Sequence, residues 1–311
     1  MDASIDVQDV KVVHFGLGQL GAAIAREVAG RDGLVSVAAI DAAETRAGRD
    51  LGDVIGAGAP TGLTIASTPD LLRDLEADIV IYVPDGNPDA AVVDLEACLE
   101  AGLNVVTVFP ELAYPPDEED EEEFAASIDT LASEAEVTAL ALDPSDALFG
   151  LLPLNVTALA SSVERIVVRR RAAPSAFGRL SLADWARMLA EALGWALDDL
   201  DERDDGAAGG PGNHRIVGSM GGAEVVAVEV IAEPGLTEPS LEVEVVGTPS
   251  LRLTLSGGTA PEQALAALLV NAIPRVLMSE PGLYTLPELP PVHCWTSLGL
   301  VPADDGDDEE E

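Results

Sequence analysis

The chain is poor in positive charge: Lys11 is its only lysine, and 16 basic residues stand against 56 acids, for a formal charge of −40. That scarcity argues against nucleic acid and anionic membrane as partners, because both need clustered Lys or Arg to neutralise phosphates. Cysteine is nearly absent as well. Cys98 and Cys294 lie far apart, with no C-x-x-C spacing and no His cluster, so neither a disulfide framework nor a zinc site is expected. The three histidines, His14, His214 and His293, are scattered, and there is no G-x-S-x-G elbow, so no nucleophilic triad assembles. No run of about 18 apolar residues is present. The opening "MDASIDVQD" lacks the basic and apolar regions of a signal peptide, and the expectation is a soluble, cytoplasmic protein.

What the chain does have is an ordinary apolar core. Hydrophobic residues make up 48% of 311, enough for two domains. Like charges repel over a Debye length of about 10 Å at 0.1 M salt and only about 3 Å at molar salt. An acid-rich, lysine-poor surface over a normal core therefore reads as adaptation to concentrated salt. The acidic run from Asp117 to Glu123 and the tail "ADDGDDEEE" are read first as solvated surface.

Along the first 143 residues, strand and helix patterns alternate five or six times, as in a doubly wound parallel sheet. "KVVHF" runs into "GLGQLG" and then the helical "AAIAREVAG", giving strand, glycine turn, helix; His14 sits inside that strand and reads as packed. "LVSVAAID" is a second strand and "GLTIAS" a third, with a short helix capped by Thr68. "ADIVIYV", "LNVVTVF" and "VTALAL" are further buried strands, separated by the helices "PDAAVVDLEACLEAG" and "FAASIDTLASEAE". After Asp143 the pattern changes. "DALFGLLPLNVTALAS" reads as a helix carrying a proline, "LADWARMLAEALG" as another, and residues 198–213 as a mobile loop. "VERIVVRRRA", "HRIVGSM", "AEVVAVEVIAE", "SLEVEVVG" and "LRLTLSG" are strands of a mixed or antiparallel sheet. "PEQALAALLVNAIPRVL" is a last helix that returns to the first domain.

Gly16, Gly18 and Gly21 have G-x-G-x-x-G spacing between a strand and a helix, and Asp41 closes the second strand, twenty residues past Gly21. Gly16 permits the tight turn, Gly18 lets backbone approach a pyrophosphate, and Gly21 lets the helix pack closely. The pyrophosphate would rest on the amides of Gly18, Gln19 and Leu20. Asp41 suits the ribose diol of NAD. Arg46 and Arg49 leave NADP open, or form salt bridges to Asp50 or Asp53. Pro84, in "YVPDGNPD", borders the cofactor or simply turns the chain. Glu111, in "VFPELAYP", emerges at the carboxyl edge of its strand between apolar neighbours, where partial desolvation would suit a general base. Tyr114 is read as packing or pocket lining.

Five segments, "HFGLGQLG", "AAIDAAETRAGRDLGDV", "NVVTVFPELAYP", "DPSDALFGLLPLNVTAL" and "VNAIPRVLMSEPGLYTLPELP", together resemble the 2,4-diaminopentanoate dehydrogenases and related native amine dehydrogenases. The resemblance runs from Lys11 to about Trp295. It implies a dihydrodipicolinate reductase-like fold: a Rossmann domain over 1–145, an α+β mixed-sheet substrate and dimerisation domain over 146–273, a returning segment over 274–300, and an acidic disordered tail over 301–311. In that family the motif reads Glu-Glu-Leu-Ser/Ala-Tyr-Pro, and its second glutamate is catalytic. Glu111 matches it, while Pro110 replaces the first. Asp143 and Ser145 replace the Asn and Gly of Asn-Pro-Gly, and Tyr114, Asp143 and Phe149 are placed about the substrate. The implied activity is oxidative deamination of an amine or amino acid by NAD, with NADP possible, and reductive amination of a ketone with ammonium in reverse, by a homodimer. A non-catalytic NAD(H)-binding protein and an imine or aldehyde reductase of the same fold are the alternatives. The His-His pair and lysine of the dihydrodipicolinate reductases proper are missing, which argues against lysine biosynthesis.

Overall fold

Strand β1 (Val10–Phe15) is buried along almost its whole length, because the sheet it centres is covered on both faces. The computed structural model describes residues 9–84, 88–113, 119–143, 146–173, 182–204, 213–257 and 261–295. β1 leads into α1 (Gln19–Ala29), β2 (Leu34–Ile40), α2 (Leu51–Ile55), β3 (Ile79–Tyr82), α3 (Pro88–Glu100), β4 (Asn104–Val108), α4 (Pro110–Ala113), α5 (Glu119–Glu134) and β5 (Thr138–Leu142). These strands and a late one, β12 (Gly282–Tyr284), form a parallel sheet in the order β12-β5-β4-β3-β1-β2.

The period of two along each strand divides the first core cleanly. Val12, Ile79, Ile81, Val106, Val108, Leu140 and Leu142 point to one face, under α1 and α9 (Pro261–Val276). Val13, Val80, Tyr82, Val105, Ala139 and Ala141 point to the other, under α3 and α5. Helix α9 is therefore part of the first layer stack although it follows the second sheet in sequence. Gly102, in left-handed backbone at φ 74°, follows α3 as expected of a terminating glycine.

The crossover to the second unit starts with α6 (Asp146–Phe149) and α7 (Leu151–Thr157). One proline-bearing helix was expected there, and Gly150 splits it in two. The second sheet contains β6 (Ser162–Ala172), β7 (Asp199–Asp204), β8 (His214–Met220), β9 (Ala223–Ala232), β10 (Ser240–Thr248) and β11 (Leu251–Ser256), in the order β11-β10-β6-β9-β8-β7. β6 and β9 run parallel and the other neighbours antiparallel, so the sheet is mixed. One face packs on α8 (Leu182–Ala192), with Phe149 stacked on Trp185 at 4.0 Å between ring centres. The opposite face carries ion pairs: Arg169 meets Glu229, Glu242 and Glu244 within 3.0 Å.

Three local expectations are corrected. "GLTIAS" is no strand: it makes only isolated bridges, Ile40 to Ala66 and Asp50 to Thr64, because Gly48, Arg49 and Leu51 take its backbone bonds locally. The loop expected over 198–213 contains β7, whose acids Asp199, Asp201 and Asp204 disguise an edge strand paired with β8. Thr68 precedes a 3-10 turn (Pro69–Asp74) but caps none of its amides; its hydroxyl donates to Asp70 instead.

Candidate functional site: the carboxyl edge of the parallel sheet

β1 lies between β2 and β3, so the chain winds outward in opposite directions from it, and the carboxyl ends of β1 and β3 form the switch point at which sheets of this kind bind ligands. The glycine turn sits there. Gly16 has φ +85°, and a Cβ on it would lie 2.0 Å from the Val83 carbonyl oxygen; one on Gly21 would lie 1.9 Å from the Gly16 oxygen. The turn is thus pressed between β3 and the first turn of α1 so closely that only glycine fits. Gly18 is the N-cap of α1, and with no side chain to bond the first amides it leaves them for an anion. No acid occupies the first turn of α1, in a chain carrying 56 of them. These features fit a dinucleotide pyrophosphate.

Gln19 is exposed, and its amide donates to Glu262 at 2.7 Å, tying the start of α1 to the start of α9. Leu20 packs on the core beneath. Pro84 is half-buried just after β3, whose neighbour Val83 donates its N–H to Phe15 at 2.8 Å. Asp41 is 1% exposed. Its carboxylate accepts from the Leu17 amide at 2.7 Å, the Ala43 amide at 2.9 Å and Arg46 Nε at 2.7 Å. Burial alone would raise its pKa, but the bonds from Arg46, Leu17 and Ala43 outweigh it and hold the group below the usual carboxylate range. Arg46 pairs with Asp41, not with Asp50 or Asp53. Asp50 caps α2 and accepts from Gly52, Thr61 and Gly62.

Glu111 lies on the one-turn helix α4, directly after β4 at the same edge, and is solvent-exposed. Among the described residues no apolar box surrounds it. Phe109, Leu112 and Ala113 are all under 5% exposed and turn into the core, which leaves Glu111 on the outward side of the turn. Asp143 is half-buried at the end of β5. Phe149 is 2% exposed and its face is covered by Trp185, so it supports the second unit's core. Tyr114 and Ser145 lie outside the described residues.

Arg170, not singled out from sequence, is 5% exposed, and its pKa is lowered by burial. Its strand neighbours Val230 and Leu241 are both buried, so a cation stands in an apolar row of β6. The alternation of "VERIVVRRRA" put it on the inward face; its charge made the segment look half-exposed. His14 is buried, as expected, and bonds Ser36. Cys98 is buried and Cys294 exposed, both free. Among the described residues no group of three or more His, Cys, Asp or Glu is placed to hold a metal ion, and no helix is long and apolar enough to cross a membrane.

Known proteins resemble this chain in sequence and in fold. Residues 211–299 match the family described as 2,4-diaminopentanoate dehydrogenase C-terminal domain. The 2,4-diaminopentanoate dehydrogenase of Acetoanaerobium sticklandii is 24% identical, over 91% of this chain and 94% of its own. An amine dehydrogenase structure from Mycobacterium smegmatis superposes with a TM-score of 0.77 at 20% identity, covering 94% of this chain and 99% of that one. A dipicolinate-bound dihydrodipicolinate reductase from Paenisporosarcina sp. TG-14 gives 0.57 at 15% identity, covering 89% and 98%. The chain is thus similar in sequence to a 2,4-diaminopentanoate dehydrogenase over 91% of its length, and it has the fold of the amine dehydrogenase and dihydrodipicolinate reductase structures.

Proposed function

We propose that the protein is an NAD(P)-dependent oxidoreductase acting on CH–NH₂ donors, oxidising a primary amine or amino acid to a ketone and ammonium, with reductive amination as the reverse. The observation that carries this reading is the placing of one exposed carboxylate, Glu111, on the sheet edge that also holds the Gly16 to Gly21 turn. The related dehydrogenases supply the reaction class.

In this reading the amides at the start of α1 hold the pyrophosphate, Asp41 and Arg46 stand at the adenosine ribose, and Pro84 borders the cofactor. The bound nicotinamide supplies the hydride acceptor. Glu111 binds the substrate ammonium and takes one proton from it, which frees the nitrogen lone pair to drive hydride out of the C–H bond. Once Glu111 has passed that proton to solvent, its carboxylate stabilises the cationic iminium and deprotonates the water that adds to the iminium carbon, and the proton it gains then goes to the nitrogen of the resulting carbinolamine. Loss of ammonia, leaving as ammonium, gives the ketone. Tyr114, Asp143 and Phe149 are assigned to the substrate, with the Phe149 ring held by its stack on Trp185. The Rossmann unit to about residue 145, the substrate unit that follows it and the returning C-terminal segment work as one enzyme. We assign it to the cytoplasm of a salt-rich cell, as a homodimer.

The test is reductive amination of a ketone panel with ammonium in molar potassium chloride, followed by oxidation of NADH and NADPH. Glu111→Gln should lower kcat by about 10²–10⁴-fold, the usual worth of a general base, while cofactor binding by calorimetry stays unchanged. Undiminished turnover in the variant, or a rate independent of ammonium, overturns the proposal.

A further inference from the structure

Strand β6 carries Arg165, Arg169, Arg170 and Arg171. Arg165, Arg169 and Arg171 pair with glutamates on the outer face of the second sheet. Arg170 points the other way. It alternates with Ile166, Val168 and Ala172, each at most 1% exposed, and its neighbours in register are Val230 and Leu241. Those two belong to the apolar cluster that holds Phe149 and Trp185. The buried positions of α8, which covers this face, are Leu182, Trp185, Ala186, Met188, Leu189 and Ala190, none of them acidic. Among the described residues no hydrogen bond or ion pair reaches the Arg170 guanidinium, in a chain with 56 acids.

A guanidinium keeps its charge in a protein, and a buried charge without a counter-ion is costly. Burial accordingly lowers the pKa of Arg170, and no partner opposes the shift. An anion that docks there offsets the cost. The planar fork of five donors matches the two oxygens of a carboxylate through parallel bonds.

The fold links this cation to the edge that carries Glu111. Phe149, in the cluster flanking Arg170, is the last residue of α6, which follows Asp143 at the carboxyl end of β5. β5 pairs with β4, and α4, with Glu111, packs on β5. A substrate bearing both an ammonium and a carboxylate would meet a group of opposite charge for each, Glu111 for the first and Arg170 for the second. A plain alkylamine would leave Arg170 without a counter-ion.

We infer that Arg170 is the receptor for a carboxylate on the substrate, and that the enzyme selects amino acids in the oxidative direction and oxo acids in the reductive one over neutral amines and ketones. The inference rests on the reading of Glu111 as the group that binds the amine, and it names the substrate class.

The experiment is reductive amination by the full chain in molar potassium chloride, with ammonium and NADH or NADPH. The probes are the oxo acids of butanoate, pentanoate and hexanoate, each beside its neutral carboxamide. For the best of them wild type should favour the acid over the amide in kcat/KM by about tenfold or more, the usual worth of a hydrogen bond to a charged group. Arg170→Met should bring acid and amide to equal kcat/KM, mainly by raising KM for the acid, as loss of a binding contact requires. Arg170→Lys should keep part of the preference. Thermal unfolding without substrate is the control for folding: Arg170→Met should melt no lower than wild type, because an unpaired buried charge gives way to an apolar chain of similar length. A lower Tm would mean that Arg170 is already paired in the fold, and overturns the inference. Equal use of acid and amide by wild type, or an acid preference that survives in Arg170→Met, also overturns it while leaving the amine dehydrogenase reading intact. Absence of ammonium-dependent turnover with every probe instead overturns that reading, and the inference with it.

Discussion

His14 is 2% exposed on β1 of the parallel sheet, and among the described residues its side-chain partner is the Ser36 hydroxyl, 2.8 Å away. Burial penalises its charged form and lowers its pKa from 6.5 to about 4. The folded pKa lies below the unfolded one, so the unfolded chain takes up a proton first as pH falls. Stability from the neutral ring is fully present above about pH 6.5, is lost progressively below it, and the loss levels off near pH 4. The difference amounts to about 3 kcal/mol. Urea unfolding at pH 7.5 and pH 4.5 should show His14→Gln losing less stability than wild type by roughly that amount; parallel losses would show that His14 already titrates normally in the fold. Other single residues were unequally legible. Gly16 and Gly21 could be assigned because their spacing, between a strand and a helix, demands a backbone that only glycine supplies. The exposure of Glu111 could not, because apolar neighbours in sequence point elsewhere once a helical turn rotates them inward. The Asp41 to Arg46 bond depends on a turn conformation that four intervening residues do not announce.

At the scale of elements, the strands and helices with a clear period were readable, and those stabilised by distant partners were not. β12 is three residues long and carries no pattern of its own. It becomes a strand because β5 offers it a parallel edge, Gly282 donates to Val137 at 3.0 Å, and Leu283 donates to Asp129 of α5 at 2.8 Å. Thr138 also reaches back, its hydroxyl donating to the Glu280 carbonyl at 3.0 Å. β7 was hidden for the opposite reason, its edge position tolerating acids that a central strand would exclude. Asp129→Ala should therefore act locally. It removes the acceptor for an amide of β12 and should cost about 1 kcal/mol, with faster amide exchange at Leu283 and little change in β3 or β4. Exchange that accelerates evenly across the sheet would mean that β12 is not separately held.

The whole molecule shows where the scarce bases are spent. Arg165, Arg169, Arg171, Arg215 and Arg252 all pair with glutamates in the second sheet. That face is nearly neutral by itself, so the rest of the surface bears the excess behind the charge of −40. Partly buried pairs such as Arg169 with Glu229, whose side chains are 26% and 17% exposed, are screened little by salt, whereas repulsion among exposed acids is screened strongly. Added salt should thus relieve repulsion faster than it weakens the network, and stability should rise with salt instead of falling. Each kcal/mol relieved raises Tm by about 2 °C in a chain of this size, and several kcal/mol should appear as a rise on the order of 5–10 °C between 0.1 and 2 M potassium chloride. Thermal unfolding followed by circular dichroism measures it, with sucrose at matched osmolality separating screening from solute exclusion. An equal rise in sucrose, or none in potassium chloride, would remove charge repulsion as the term that limits this fold.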